Sequence, residues 1–142
     1  MPTILIETNA LAGPEQRRIA VQLTRWFADH GIRPDHVVVR FTVADLNLAF
    51  SGGLPVAAMS HPDAVCAAAW VTCCISPDRD DEFRSGLADR IAALLQVTRH
   101  TALFYVEFRP TDPRQVYLAG RSPLHRADTR VEPNRDIEGD EG

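Results

Sequence analysis

Met1-Pro2-Thr3-Ile4-Leu5-Ile6-Glu7-Thr8 opens the chain, and the pattern that it begins decides the fold. Its β-branched and apolar residues predict a strand. Gly13-Pro14-Glu15 then marks a helix start, because proline is favoured at the first helical position. Apolar residues follow at helical spacing as far as Gly31, and the β-branched run 36–42 predicts a second strand. Residues 3–42 therefore form one predicted βαβ unit.

The same order repeats in the second half of the chain. The apolar run 65–75 predicts a long strand that ends at Ser76-Pro77-Asp78. A helix from about Asp80 follows, with an apolar stripe, and residues 101–108 predict a closing strand. Two βαβ units predict an α+β fold, in which a four-stranded sheet carries both helices on one face. The stripe of the second helix consists of Phe83, Leu87, Ile91 and Leu94.

The predicted domain spans residues 1–120. Within it, residues 46–58 predict a turn or hairpin, and residues 115–118 a short strand that crosses to a neighbouring subunit. The polar stretch 121–142 predicts a flexible C-terminal tail without a core element. Because no third long helix is predicted, the second face of the sheet is expected to pack against other subunits.

Composition limits the classes of function. The chain has 142 residues, of which 45% are hydrophobic, which suits one domain with one core. The net charge is −4 with a pI of about 5.7, and the arginines are scattered, so we expect neither nucleic acid nor a membrane surface as partner. A small-molecule partner fits better. Neither a signal segment nor an apolar run of about 18 residues occurs, which predicts a cytoplasmic protein.

The three cysteines predict neither a disulfide framework nor a metal site. Cys66, Cys73 and Cys74 are odd in number, two are adjacent, and no Cys-x-x-Cys or Cys/His ligand spacing occurs. We expect buried thiols in a reducing compartment, and no metal or other cofactor.

Pro2 is the first candidate catalytic residue. Removal of Met1 would turn it into a free secondary amine at the start of a strand. An α-amino group titrates at about 7.7–8.0, and burial or a nearby cation lowers that pKa. The amine would then accept a proton near neutral pH. A Met-Pro start by itself is common, so this interpretation depends on the rest of the chain.

The order of these elements resembles the tautomerase superfamily over roughly residues 2–120. Residues 33–39 and 48–53 are similar to the branch of macrophage migration inhibitory factor. The chain length and residues 78–91 are similar to the cis-3-chloroacrylic acid dehalogenase group. The resemblance implies a homotrimer, with Pro2 at the base of a pocket between neighbouring subunits.

The resemblance also implies roles for particular residues. Pro2 matches the catalytic proline of the family, and Arg79 an arginine that binds the substrate carboxylate through its guanidinium fork. Tyr105 matches a pocket residue that holds a substrate oxygen or a water, and Phe50 an aromatic pocket wall. Each of the last three also has a structural interpretation: a solvated arginine, a core tyrosine and a packed hairpin aromatic.

Some positions depart from the pattern of the dehalogenase group. Ser76 stands where that group has a second arginine, and residues 116–118 stand where it has a water-activating glutamate. Its histidine would fall at Asp29, or at His30 with a gap. Arg33 and Arg40 are further candidates for the carboxylate, and the sequence does not choose between them.

The predicted function is a keto–enol tautomerase that acts on a small enol or 2-oxo acid with a carboxylate. Neutral Pro2 removes a proton next to a carbonyl, Arg79 holds the carboxylate, and Tyr105 steadies the enolate oxygen. One alternative keeps Pro2 protonated as a general acid in hydration, dehalogenation or decarboxylation of a three-carbon acid. Another is a non-catalytic trimeric interaction protein with the same fold.

Overall fold

A mixed four-stranded sheet lies at the centre of the structure, a computed structural model that describes residues 2–129. The strand order is β2-β1-β5-β6, with two further two-stranded pairs, β3-β4 and β7-β8. The strands are Thr3–Thr8 (β1), Val38–Val43 (β2), Phe50–Ser51 (β3), Leu54–Pro55 (β4), Ala68–Ile75 (β5), Leu103–Pro110 (β6), Tyr117–Leu118 (β7) and His125–Arg126 (β8). The helices are Gly13–Asp29 (α1), Val56–Met59 (α2) and Asp81–Leu95 (α3).

The sheet confirms the duplicated βαβ pattern. Strand β1 is parallel to β2, and β5 is parallel to β6. The two units meet where β1 runs antiparallel to β5, with Thr3 opposite Cys74. The first residues of β1 therefore lie beside the last residues of β5, at the end of the sheet where the chain leaves β5 and continues to α3. The α+β fold with two long helices agrees with the prediction from sequence.

The two long helices and one face of the sheet form the core. Helix α1 buries Ile19, Leu23 and Phe27, and α3 buries Leu87 and Ile91. They pack with the inward side chains of the two central strands, and each fully buried aliphatic side chain contributes roughly 1.5–3 kcal/mol. The core residues of β1 and β5 are Ile4, Ile6, Ala69, Val71, Cys73 and Ile75.

The opposite face of the sheet, here called the open face, packs against neither α1 nor α3. Alternation along each strand assigns its residues, and the register brings them into cross-strand rows. The face mixes apolar and charged side chains. Its residues are Thr3, Leu5, Glu7, Val38, Arg40, Thr42, Trp70, Thr72, Cys74, Tyr105, Glu107 and Arg109.

The second strand begins later than the sequence predicts. Residues Pro34–His36 form a 3₁₀ turn, and β2 starts only at Val38. The backbone N–H of His36 donates to the carbonyl of Arg33 at 3.0 Å. Proline at position 34 fixes φ and has no N–H for a ladder, so the chain turns before it joins the sheet.

Short elements surround the sheet. The predicted hairpin at 46–58 is present as β3 and β4, and Gly52 and Gly53 supply its positive φ angles of 57° and 81°. The predicted short strand at 115–118 is present as β7, which pairs with β8 of the same chain, and its crossing to a neighbouring subunit stays a prediction. Residues 130–142 of the predicted tail lie outside the described residues, and the flexibility of the tail stays a prediction.

Burial keeps two of the three thiols neutral. Cys66 and Cys73 are buried, and Cys74 lies half-buried on the open face. Burial raises the pKa of Cys73 to about 12, so this thiol is not a nucleophile at neutral pH. Between residues 2 and 129, no group of three or more His, Cys, Asp and Glu side chains is arranged to hold a metal ion. In the same part of the chain, no helix has the length and apolar character that a membrane crossing requires.

Candidate functional site

Pro2 is buried at the start of β1, between β2 and β5. Its carbonyl accepts a hydrogen bond from the N–H of Val38 at 3.0 Å, which ties it to the neighbouring strand. Pro2 lines a cavity of about 280 Å³ at this edge of the sheet, where the loops after α1 and β5 come together. The other lining residues are Gly31, Ile32, Arg33, His36, Ile75, Ser76, Asp78, Arg79, Phe83 and Pro113.

Arg79 lines the same cavity as Pro2. It belongs to the loop between β5 and α3, and its N–H donates to the carbonyl of Ser76 at 3.3 Å. The guanidinium lies over the ring of Phe83, 4.8 Å from its centroid. Among residues 2–129 no carboxylate forms an ion pair with Arg79, so its paired donors are available to an anionic ligand.

Arg33 also lines the cavity but already has a partner. Its Nε and Nη2 atoms donate to the two carboxylate oxygens of Asp35 at 3.1 Å and 2.9 Å. This bidentate pair competes with any substrate carboxylate. Arg40 lies elsewhere, on the open face, where it is opposite Leu5 of β1.

His36 is a cavity residue that the sequence did not single out. Burial lowers the pKa of its imidazole; Asp35 opposes this effect, and Arg33 adds to it. The imidazole is therefore neutral at neutral pH, with one N–H and one unprotonated nitrogen. The sequence pattern that could have indicated His36 is Arg33-Pro34-Asp35. This pattern favours a turn, which places His36 in a loop rather than in a strand.

Asp78 and Ser76 form a polar pair at the rim of the cavity. The hydroxyl of Ser76 lowers the pKa of the Asp78 carboxyl, and Arg79 lowers it further. Ser76 is the position at which the dehalogenase pattern has a second arginine. A hydroxyl and an ionised carboxylate thus replace a cation there.

Tyr105 does not line this cavity in its own chain. It lies on the open face of β6, opposite Trp70, which in turn is opposite Glu7 of β1. Five residues of β1 separate that row from Pro2, a rise of roughly 16 Å. The hydroxyl of Tyr105 donates to Glu107 at 3.4 Å.

Phe50 and His30 also lie outside the Pro2 cavity. Phe50 is 63% exposed in the hairpin that follows β2, at the end of the sheet opposite Pro2. His30 caps α1 and stacks on Trp26 with ring centroids 3.8 Å apart. It lines a neighbouring cavity of about 470 Å³, which shares Arg79 and Phe83 with the Pro2 cavity. Asp29 lines neither of these two cavities.

The cavity has the elements of a small-acid site. Its concave shape, its apolar side chains and a cation without a partner suit a small molecule with one carboxylate. Two arginines, Arg33 and Arg79, and two carboxylates, Asp35 and Asp78, bring charge of both signs to this end of the strand.

Comparison with solved structures shows the fold. A probable enzyme from the thermophilic fungus Aspergillus fumigatus is 22% identical, with 84% of this chain and 82% of that chain covered, at a TM-score of 0.62. N1, a member of the cis-3-chloroacrylic acid dehalogenase family, is 15% identical. The match covers 96% of this chain and 89% of that chain, at a TM-score of 0.64. Native fused 4-OT is 16% identical, and the match covers 83% of this chain and 93% of that chain, at a TM-score of 0.63. No protein-family model and no curated protein matches the chain in sequence.

Further structures with this fold are described with a ligand or an assembly. Fused 4-OT also forms an asymmetric trimer, in a structure with a TM-score of 0.57. Pt0534, at 11% identity and 0.61, was inactivated by 2-oxo-3-pentynoate. FG41 malonate semialdehyde decarboxylase, at 11% and 0.60, was inhibited by 3-bromopropiolate. The chain therefore shares the fold of these solved structures, which is the fold that the resemblance implied.

Proposed function

We propose that the protein is a keto–enol tautomerase in which the free amine of Pro2, exposed by removal of Met1, is the general base. The observation that carries this proposal is the shared cavity of buried Pro2 and Arg79. An amine and a carboxylate-binding cation on one small cavity can hold a 2-oxo acid with C3, the carbon that loses the proton, next to the base. Such positioning lowers the barrier before any chemistry begins.

The surroundings favour the neutral amine. Pro2 is buried, and burial disfavours an ammonium. Arg79, which has no ion-pair partner among residues 2–129, lines the same cavity and disfavours a further positive charge, an effect that the carboxylate of Asp78 partly opposes. Both effects lower the pKa of the Pro2 amine, so more of it is unprotonated at neutral pH and able to accept a proton.

Arg79 is the better of the candidate arginines for the substrate carboxylate. Arg33 forms a bidentate pair with Asp35, and that pair would have to open first. Arg40 lies on the open face, away from the Pro2 cavity. Arg79 needs no such rearrangement, and a planar guanidinium orients a planar carboxylate.

We also propose a homotrimer in which a neighbour completes the site. The open face carries apolar and half-buried side chains, and neither of the two long helices packs on it. Tyr105 and Phe50 lie at the far end of the sheet and reach a Pro2 cavity only if it belongs to another subunit. A structure with this fold, fused 4-OT, is described as a trimer.

A second candidate function keeps Pro2 protonated as a general acid for addition of water to a three-carbon acid. Asp78 favours it, because an ionised carboxylate on the cavity wall can activate a water. Its lowered pKa makes Asp78 a weak base, however, and the cations around Pro2 oppose an ammonium. The tautomerase therefore remains the first proposal.

Two measurements test the tautomerase. Intact-protein mass should show a chain without Met1, because an amide nitrogen in Met1-Pro2 has no basic lone pair. Ketonisation of a 2-hydroxy-2,4-dienoate or an arylpyruvate enol should then show a kcat/KM that rises with pH through the amine pKa and levels off. Alkylation by 2-oxo-3-pentynoate should abolish this activity and add its mass to the N-terminal peptide.

The outcome separates the candidate functions. If the pKa of the Pro2 amine lies above the ordinary range of an α-amino group, and the protein catalyses addition of water but not ketonisation, the general acid is supported. An amine with an ordinary pKa, without either activity, supports the non-catalytic protein. Retention of Met1 in most molecules excludes Pro2 as base and as acid.

A further inference from the structure

The proposed reaction needs a second group besides its base. When an α-proton leaves, negative charge develops on the carbonyl oxygen, and a donor fixed near that oxygen stabilises the transition state. Tyr105 was expected to supply this donor. Within its own chain it lies on the open face, with its hydroxyl directed to Glu107.

The described residues of one chain offer four side-chain donors on the cavity: Arg33, His36, Ser76 and Arg79. Arg33 is held by Asp35, and the hydroxyl of Ser76 by Asp78. Arg79 is assigned to the carboxylate. The imidazole of His36 has no side-chain hydrogen-bond partner among residues 2–129 and remains available.

The backbone fixes His36 close to Pro2. The 3₁₀ turn Pro34–His36 is closed by the N–H of His36 on Arg33 and that of Val37 on Pro34, at 3.0 Å and 3.1 Å. One residue further, the N–H of Val38 donates to the carbonyl of Pro2 at 3.0 Å. The turn and the start of β1 therefore move together, and the imidazole lies on the cavity wall that Pro2 shares.

The groups around His36 leave it neutral. Arg33 and Asp35 flank it on its own turn and oppose each other, the charges of the N-terminus and of His125 on β8 lower its pKa, and Arg79 and Asp78 line the same cavity. Burial decides the balance and lowers the pKa of the imidazole. A neutral imidazole donates its N–H without placing another full positive charge in a cavity that already holds two guanidinium groups.

We propose that His36 is a catalytic residue that donates its imidazole N–H to the enolate oxygen of the substrate, an inference that rests on the proposed tautomerase. In the keto-to-enol direction, the α C–H bond breaks and its proton goes to the Pro2 nitrogen. The C–H electron pair forms the C=C bond, and the π electrons of the carbonyl move to its oxygen. The His36 N–H donates a hydrogen bond to this enolate oxygen. Solvent protonates that oxygen, and the Pro2 ammonium returns a proton to solvent.

Two substitutions at one position test this role. His36→Leu removes the donor and should lower kcat about 100-fold, with KM changed no more than about twofold, because the hydrogen bond strengthens as charge develops. His36→Gln keeps an N–H donor and should recover kcat to within about tenfold of the parent. His61→Leu, at an exposed histidine that does not line the Pro2 cavity, is the control and should behave as the parent.

The readouts separate this inference from the proposed function. ¹⁵N NMR titration of the Pro2 amine should give the same pKa in the parent and in His36→Leu. Parent-like kcat in His36→Leu, equal losses in the Leu and Gln variants, or a shifted Pro2 pKa that accounts for the loss would each overturn the role of His36. A parent without ketonisation activity overturns the proposed function itself.

Discussion

Arg79 has three contacts that fix its position and leave its guanidinium edge without a carboxylate partner among residues 2–129. Its backbone is held by Ser76, its carbonyl accepts from Arg84, and its guanidinium stacks on Phe83. Stacking on an aromatic face orients the planar group and leaves its edge free for hydrogen bonds. The side chain is thus positioned before a substrate arrives.

Substitution of Arg79 should therefore affect acids more than esters. Arg79→Ala should raise the transition-state free energy by about 2–5 kcal/mol for an enol acid, because a desolvated charge pair is lost. The ester of the same enol should be almost unaffected, and Arg79→Lys should lie between, since it keeps the charge without the fork. The measurement is kcat/KM for acid and ester on each variant.

Arg33→Ala is the matched control for this series, because Arg33 lines the same cavity but is paired with Asp35. We expect a much smaller loss on the acid. Equal losses of kcat/KM on acid and ester in Arg79→Ala would mean that Arg79 supports the structure. A large loss on the acid alone in Arg33→Ala would mean that Arg33, not Arg79, binds the substrate carboxylate.

At the scale of elements, the first turn of α3 organises the cavity wall. Asp80 is its N-cap and accepts a hydrogen bond from the N–H of Phe83 at 2.8 Å. Asp81 and Glu82 in the first turn complement the positive end of the helix. The helix start thereby fixes both Arg79, just before the cap, and the ring on which it stacks.

Removal of this cap should reduce both stability and activity. Asp80→Ala should lower the free energy of unfolding by about 0.5–2 kcal/mol, because one N–H of the first turn loses its acceptor. It should also lower kcat/KM for the acid, since Arg79 and Phe83 lose their fixed positions. Urea denaturation, at one protein concentration because assembly adds to stability, and steady-state kinetics measure the two effects.

Thr24→Ala provides the control, because the hydroxyl of Thr24 donates to the carbonyl of Ala20 at 2.8 Å within α1, and Thr24 lines neither the Pro2 cavity nor the cavity that contains His30. This variant should keep the activity of the parent. An Asp80→Ala enzyme that is destabilised but has unchanged kcat/KM would show that the cap does not position the site.

At the scale of the whole molecule, the open face is the surface that the proposed trimer would bury. Its central row runs from Arg40 through Leu5 and Thr72 to Glu107, so apolar and uncharged side chains lie between two charged edges. Such a face can bury its middle against other subunits while the charged rim stays hydrated.

Light scattering on the parent protein should give about three times the chain mass of 15.7 kDa. Thr72→Arg places a charge in the middle of the face and should lower that mass, because an unpaired charge is costly to bury. Ser85→Arg adds the same charge on the exposed surface of α3 and should leave the mass unchanged. Circular dichroism checks that both variants fold.

A parent protein that is monomeric at micromolar concentration would contradict the trimer and the shared site. Tyr105 and Phe50 would then have no route to a Pro2 cavity. The role of His36 in its own chain would not be affected, because every contact that supports it lies within one chain.

The sequence determined the elements and their order. Local periodicity and turn residues are sufficient for this: proline at a helix start, apolar residues at helical spacing and β-branched runs each act within a few residues. The duplicated βαβ pattern then limited the topology, and the predicted four-stranded sheet with two helices on one face is present.

Only the tertiary structure decided which side chains share the cavity. His36 meets Pro2 because Pro34 turns the chain before β2 pairs with β1, and the Tyr105 row lies far from Pro2 because β1 and β5 pair in one antiparallel register. Register depends on contacts between residues distant in sequence, and a shift of one residue would move every side chain to the other face. No local pattern carries that information, so the sequence indicated Pro2 and Arg79 but not His36.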